Sequence, residues 1–381
     1  MRVLQVVNSL ERGGLEVMLV RALPYLQKAG VQIDFCCQSS GSSLMEQEVK
    51  EAGCQVFHIG KSAIPNRTAA ALREHLSNVH YDAVHSHLGY SSGGIALGAY
   101  QAGVSCVVSL HSSMPTSLWR WREKPLLGFL RTAWLRWHRR LIQRYSSCFV
   151  AHSKAVLEAF CGNGSVHRRR YHVILNGVVD GQTTPAHDQA REQLGIADDA
   201  YPILLHLANV RPIKNYECLL DIAVEVRRSH PKMLLLVVGE GSHRPYVESL
   251  AYTKEIRPFV RFIGGVENPW PFYAAADVMV FPSWSEGCGN VLIEGQWAGT
   301  PIVASDIPAH RESVCEEQRD FLFAPEDPIS GARKVLRQLE SRSAAGRLAG
   351  KRHAQDNYGV SRFSQEVVSL YHGVAKEVAE G

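Results

Sequence analysis

The sequence predicts two doubly wound α/β domains, each built on a parallel sheet. Short apolar runs alternate with helix-period segments in both halves of the chain. The alternation lapses over residues 181–200 and restarts at Ile203, and the stretch from Asp277 to Glu312 spells one complete strand, loop, helix and strand. In that unit Val278–Phe281 is a short apolar run closed by Pro282, as in a strand buried on both faces. Ser283 to Gly289 is a polar, glycine-bearing loop. Val291, Leu292, Gln296 and Trp297 then follow a helical period, Gly299 stops the helix and Pro301 forbids its continuation, so Ile302–Ala304 is the next strand. A length of 381 residues exceeds one ordinary core and points to about two domains.

From the start, Val3–Val7 reads as a strand, Asn8 to Gly14 as a polar loop ending in Gly13-Gly14, and Val17–Leu26 as an apolar-periodic helix. The glycine pair lacks the G-x-G-x-x-G spacing of a dinucleotide fold. It reads equally as a ligand loop or as a tight strand-to-helix turn. Strands follow at Ile33–Cys37 and Gln55–Ile59, with helices at Leu44–Glu51 and Thr68–Asn78. Ala83 to His87 is a strand end; if the strand runs through, His85 and His87 face opposite ways, which is poor metal geometry, with one turned inward and the other ordinary. Val104–Leu110 is a strand with His111 at its carboxyl end. Cys148–Ala151 and Val173–Leu175 are the last strands of the first half, and residues 181–200 read as a linker. The second half runs through strands Ile203–Leu207, Met233–Val238 and Phe259–Ile263, a short helix closed by Tyr273–Ala276, and the unit described above. Helices at Arg333–Glu340 and Phe363–Val378 complete it.

Totals exclude several classes. The 45% hydrophobic and 20% charged residues describe an ordinary globular protein. Nine scattered cysteines with no C-x-x-C pair signal neither a disulfide framework nor a zinc site, so a reducing cytosol is expected. The amino-terminal apolar run is too short for a signal peptide, and no stretch is apolar enough to span a bilayer. Lysine plus arginine exceed aspartate plus glutamate by 41 − 37 = 4, too small a margin to imply a nucleic-acid partner.

One stretch departs from this balance. Leu118 to Tyr145 holds four of the seven tryptophans and seven arginines against a single acid, Glu123. On a helical template Leu126, Leu130, Trp134, Trp137, Leu141 and Tyr145 share a face, with Arg136, Arg139, Arg140 and Arg144 towards the other. Such a helix suits an anionic membrane interface or a lipid-linked acceptor; the alternative is an amphipathic helix packed on its own domain.

The chemistry concentrates in the loop after Phe281. It lies at the carboxyl end of a strand, where open α/β sheets bind ligands, and feeds a helix N-terminus that favours an anion. Gly287 and Gly289 let backbone approach a ligand, and Glu294 lies eight residues after Glu286. One carboxylate reaches past a phosphate while the other accepts ribose hydroxyl protons, an arrangement suited to a nucleotide sugar. As a competing reading, Glu286 is a helix cap and Glu294 a solvated helix face.

Glu286-Gly-Cys-Gly-Asn-Val-Leu-Ile-Glu294, followed by Gly299-Thr-Pro301 and a strand, resembles the E-x7-E signature of the family 4 retaining glycosyltransferases. These are GT-B enzymes with two Rossmann-like domains facing across a cleft. The resemblance implies an acceptor domain over 1–180, a nucleotide-sugar domain over 201–361, and a last helix, 362–381, returning to the first domain. It implies donor contacts at Gly239, Phe262, Gly287, Gly289, Asn290, Val291 and Glu294, with Glu286 on the sugar and Lys214 on the diphosphate. Where the family carries arginine this chain has Asn209, and Arg211 two residues on is the substitute. His111 corresponds to a histidine facing the transferred sugar, Gly13 and Gly14 to a cleft loop, and VILNGVVD to the crossing between domains. Trp134, Trp137, Arg136 and Arg140 are the candidate membrane or acceptor contacts. The implied activity is metal-independent, cofactor-free sugar transfer, from a UDP-sugar by preference, to a saccharide or lipid-linked acceptor in cell-envelope polysaccharide synthesis. It would take place in the cytoplasm at the inner face of the membrane. A nucleotide-sugar epimerase of the same architecture and a transferase with a soluble acceptor are the alternatives; a dehydrogenase or scaffold fits less well.

Overall fold

A computed structural model describes residues 1–11, 13–39, 44–112, 125–161, 171–341 and 343–380. The chain forms two compact units, Met1–Asp180 with Val360–Gly381, and Gly181–Gly359.

The first unit is a seven-stranded parallel sheet: β1 (Arg2–Val7), β2 (Gln32–Cys37), β3 (Val56–His58), β4 (Ala83–Ser86), β5 (Ser105–Leu110), β6 (Cys148–Ala151) and β7 (Tyr171–Val173), in the order β3-β2-β1-β4-β5-β6-β7. The two-residue period of the strands divides their side chains between two cores. Val3, Ile33, Phe35, Val107 and Val150 enter one, and Leu4, Val6, Val84, Val108 and Phe149 enter the other. The first core is covered by the helices Gly14–Lys28 and Val360–Glu380, the latter contributing Val360, Phe363, Val367, Leu370, Tyr371 and Val374. Strand order reverses between β1 and β4, the switch point at which such sheets bind ligands.

The second unit repeats the plan with β8 (Ile203–Leu207), β9 (Leu234–Val238), β10 (Val260–Gly264), β11 (Val278–Phe281), β12 (Ile302–Ser305) and β13 (Leu322–Phe323), in the order β10-β9-β8-β11-β12-β13 and parallel throughout. Its switch point lies between β8 and β11. The helix Asn290–Ala298 follows β11 and ends at Gly299, whose φ of +80° makes it the left-handed stop that the sequence implies.

The structure corrects several expectations. Residues 181–200 are not a plain linker, since they carry the helix His187–Gln193 and belong to the second unit. Strand β7 lies at Tyr171–Val173, earlier than the expected Val173–Leu175. The expected opposition of His85 and His87 fails because residues two apart share a face of a strand; β4 stops at Ser86, and the His87 ring just beyond it lies on the His85 side, with centroids 4.1 Å apart. A helix at Gly93–Gln101 was hidden by its glycines, which are close-packing positions: a Cβ on Gly94 or Gly98 would come within 2.7 Å of backbone in the helix Pro65–Asn78.

Candidate functional site

At the switch point of the second unit, two loops are fastened together. Trp284 N–H donates to the Ile213 carbonyl at 2.9 Å, and the Asn215 side-chain amide donates to the carbonyls of Pro282 at 3.1 Å and Pro325 at 2.8 Å. Asn215 adopts φ +57°, a conformation asparagine tolerates, which ends the short turn Pro212–Lys214. The result is one contact: Lys214 Nζ lies 2.6 Å from Glu286 Oε1, with side-chain exposures of 17% and 14%. Lys214 also sits 5.0 Å from the Phe281 ring centroid.

Glu286 is therefore no simple helix cap. Burial pushes its carboxyl up, but Lys214 and His310 outweigh that and hold it below the ordinary carboxylate value. Two buried histidines flank Phe281, His206 at 5.2 Å and His310 at 5.6 Å between ring centroids. Each bonds a backbone carbonyl through Nδ1, Val280 for His206 and Ser305 for His310. Burial drives both to about 4. Both are thus neutral at pH 7, and their Nε2 atoms have no partner among the described residues. No pattern of spacing in the sequence marks them, and the Lys-Asn pair after Pro212 was the only available sign of Asn215.

Glu294, half-buried on the Asn290–Ala298 helix, accepts a hydrogen bond from the Tyr273 hydroxyl at 2.8 Å. Gly289 enters that helix with φ +65°, so the first-turn N–H groups of Asn290 and Val291 point out of its N-terminal end beside Gly287. Arg211 and Asn209 are exposed on the loop after β8. Gly239 packs against the same loop: its φ is +131°, and a Cβ there would sit 2.0 Å from the Ala208 carbonyl oxygen. Phe262 in the middle of β10 has guanidinium carbons of Arg257 and Arg244 at 5.3 and 5.9 Å, and Arg244 also pairs with Glu240. The structure thus gathers Lys214, Glu286 and the start of the Asn290–Ala298 helix around one switch point.

In the first unit, His111 stands half-buried just past β5, its ring stacked at 4.4 Å on His152 and its Nε2 3.1 Å from Nδ1 of His87. Gly13 is extended at φ −143° and caps the helix that starts at Gly14; a Cβ on Gly13 would meet only the flexible Glu16 carboxylate at 2.5 Å. Arg12 lies outside the described residues.

The basic, tryptophan-bearing stretch forms the helix Pro125–Tyr145; residues 118–124 and the side chain of Leu126 lie outside the described residues. Its inward face is not the Leu130–Trp137 stripe. Leu135, His138 and Ile142 pack inward, while Phe129, Leu130 and Trp137 are exposed at 67%, 57% and 42%. Trp134 is tied down, donating from Nε1 to the Ala63 carbonyl at 2.7 Å beneath Arg131. Arg136, Arg140 and Arg144 are exposed beside Trp137. Among the described residues no helix is long and apolar enough to cross a membrane.

Two family profiles match, Glycosyltransferase Family 4 over residues 12–181 and Glycosyl transferases group 1 over residues 187–360. The putative glycosyltransferase EpsF of Bacillus subtilis (strain 168) is 29% identical over 316 residues, 80% of this chain and 79% of the relative. A D-inositol 3-phosphate glycosyltransferase of Geodermatophilus obscurus is 28% identical over 405 residues, 97% of this chain and 86% of its own. The crystal structure of Anabaena HepE in complex with UDP-glucose is similar with a TM-score of 0.81 at 21% identity, covering 98% of this chain and 100% of that one. With both units matched in turn, the chain belongs to the family 4 glycosyltransferases, enzymes of the GT-B fold.

Proposed function

We propose that the chain transfers a sugar from a nucleotide-diphosphate sugar, preferably a UDP-sugar, with retention of anomeric configuration. The observation that carries this reading is the Lys214–Glu286 pair at the β8/β11 switch point, next to a helix N-terminus and with Glu294 on that helix. Lys214 and the first-turn amides take the diphosphate, Arg211 and Asn209 flank it, and Glu294 holds the ribose. Gly239 and Phe262 border the nucleotide. Glu286 and His111 meet hydroxyls of the transferred sugar. Both carboxylates already accept from a neighbour, Glu286 from Lys214 and Glu294 from Tyr273, which suits holding a substrate more than attacking it. The name of the HepE complex supports UDP as the nucleotide.

Positive charge on the leaving diphosphate comes from Lys214 and backbone amides in this reading, so turnover requires no divalent metal and survives EDTA. Lys214→Ala and Glu294→Gln each abolish donor turnover; full activity in either refutes the assignment. Product anomer configuration, read by NMR coupling constants, tests retention. Donor incubated alone yields no isomerised sugar, which separates this reading from an epimerase.

For the acceptor, the exposed Phe129, Leu130 and Trp137 beside Arg136, Arg140 and Arg144 favour a lipid-linked saccharide at an anionic membrane surface, as in cell-envelope polysaccharide synthesis. The names of the D-inositol 3-phosphate glycosyltransferases favour a second reading, a soluble phosphorylated acceptor. Co-sedimentation with vesicles containing anionic lipid, lost in Trp137→Ser/Arg140→Ser, decides between them.

A further inference from the structure

Beneath the Val360–Glu380 helix, the inward positions near the carboxyl ends of the first sheet turn from apolar to polar. Gln5 on β1, His85 on β4, Ser109 on β5 and His152 after β6 lie side by side, all buried, with Tyr371 of the helix above them. We infer that these side chains form one directional hydrogen-bond relay that holds His111 in a single neutral form, with its proton on Nε2 and a bare lone pair on Nδ1. Tyr371 and Gln5 are its positioning residues.

The polarity follows from one fixed end. The Ile174 carbonyl can only accept, so His152, whose Nδ1 lies 2.8 Å away, carries its proton on Nδ1. The other nitrogen of a neutral ring accepts, and the Ser109 hydroxyl donates to it at 3.3 Å. Ser109 Oγ then accepts from His85 Nε2 at 2.8 Å. His85 Nδ1 is left as an acceptor and takes the Tyr371 hydroxyl proton at 2.6 Å. The Tyr371 oxygen must in turn accept, so Gln5 faces it with its amide nitrogen at 2.8 Å and turns its carbonyl oxygen to His87 Nε2 at 2.6 Å. His87 therefore donates from Nε2, and its Nδ1 accepts from His111 Nε2 at 3.1 Å. Every orientation along the relay, the Gln5 amide included, is settled by its neighbour.

The scheme requires neutral rings, and the surroundings provide them. No carboxylate belongs to the relay, and burial together with the neighbouring rings pushes His85, His87 and His111 well below their ordinary value. A buried polar network with every member satisfied rigidifies its site. The exposed end is thereby committed: Nδ1 of His111 can accept from a hydroxyl and cannot donate to a phosphate oxygen. This rests on the proposed role of His111 at the transferred sugar, and it identifies the ligand group there as a sugar hydroxyl.

Long-range 1H–15N correlation spectra of the full chain labelled with 15N-histidine, at neutral pH, read each tautomer directly; His111→Asn assigns the signal. The expected spectrum shows His111 wholly protonated at Nε2. A proton on His111 Nδ1, or a mixture in the unaltered protein, overturns the relay. In Tyr371→Phe the Gln5 amide loses its partner and is free to turn round, which would reverse His87 and His111. A mixture of both His111 forms supports the relay, and one unchanged form overturns it. UDP-glucose is the probe for the ligand step: a shift confined to the Nδ1 resonance of His111 supports acceptance from a hydroxyl. A single Nε2–H form that ignores UDP-glucose upholds the relay and overturns only the role of His111 at the sugar.

Discussion

Replacing Lys214 by methionine separates what the Lys214–Glu286 contact does for folding from what it does for the donor. Breaking a buried ion pair by removing one partner costs about 3–5 kcal/mol, and an exposed pair is worth about 1 kcal/mol or less. At 17% and 14% exposure this pair lies nearer the buried limit, so Lys214→Met leaves Glu286 uncompensated at a cost of about 2–3 kcal/mol. For a unit of this size each kcal/mol moves Tm by about 2–4 °C, which gives a fall of about 4–12 °C. Glu286→Gln costs less, because Lys214 can turn to solvent and keeps the Phe281 face at 5.0 Å. The double variant regains most of the stability, since no charge is left stranded. Its affinity for UDP stays low, however, by about ten- to a hundredfold, the loss of one charge-assisted hydrogen bond. Urea unfolding and UDP titration of the four proteins complete the cycle. Single-variant losses that add to within about 0.5 kcal/mol would refute the coupling. UDP affinity restored in the double variant would remove Lys214 from the diphosphate.

Acidification should unfold the first unit early. His85, His87, His111 and His152 titrate below their ordinary value through burial, His152 at about 4. The unfolded chain takes up protons near pH 6.5 that the folded chain refuses. The stability these rings contribute is whole above about pH 6.5 and is lost as pH falls towards their folded values, by about 1.4 kcal/mol per pH unit for each ring. Urea midpoints that stay flat between about pH 7 and 5 would contradict this. Gly239→Ala places a methyl group 2.0 Å from the Ala208 carbonyl at φ +131° and should cost well over 1 kcal/mol together with donor binding; a thermal melt matching the parent protein would show that the loop yields freely. Tyr273→Phe removes the hydroxyl that holds Glu294 and should raise KM for the donor more than it lowers kcat, as steady-state kinetics would reveal.

Much of the fold was legible because parallel strands buried on both faces are written as continuous apolar runs bounded by glycine and proline. Ile203–Leu207 and Val278–Phe281 lie where the sequence puts them for that reason. Leu322–Phe323 is too short to leave any period. The Gly93–Gln101 helix was masked because its glycines serve a neighbour, not their own propensity. In Pro125–Tyr145 the period marks the stripe that carries Leu130 and Trp137, which stay exposed, but not the inward face, because packing uses Leu135, His138 and Ile142, one of them a histidine. At the candidate site, Glu286 and Lys214 stood out in loops that follow strands, and Glu294 by its spacing of eight residues from Glu286 on the next helix. His206, His310 and Asn215 did not, since their work depends on partners brought from distant strands. The Gln5–Tyr371 bond spans 366 positions, and no local pattern encodes it.

The return of the chain to its starting sheet has a consequence for biosynthesis. Val360, Phe363, Val367, Leu370, Tyr371 and Val374 fill a hollow in a layer whose strands leave the ribosome before any of the second unit exists. Until those residues arrive, Gln5, His85 and the apolar side chains around them face water, at about 1.5–3 kcal/mol for each large side chain left uncovered. The unit translated first is therefore the one completed last, and a nonsense codon just before Val360 would spare the later unit while crippling the earlier one.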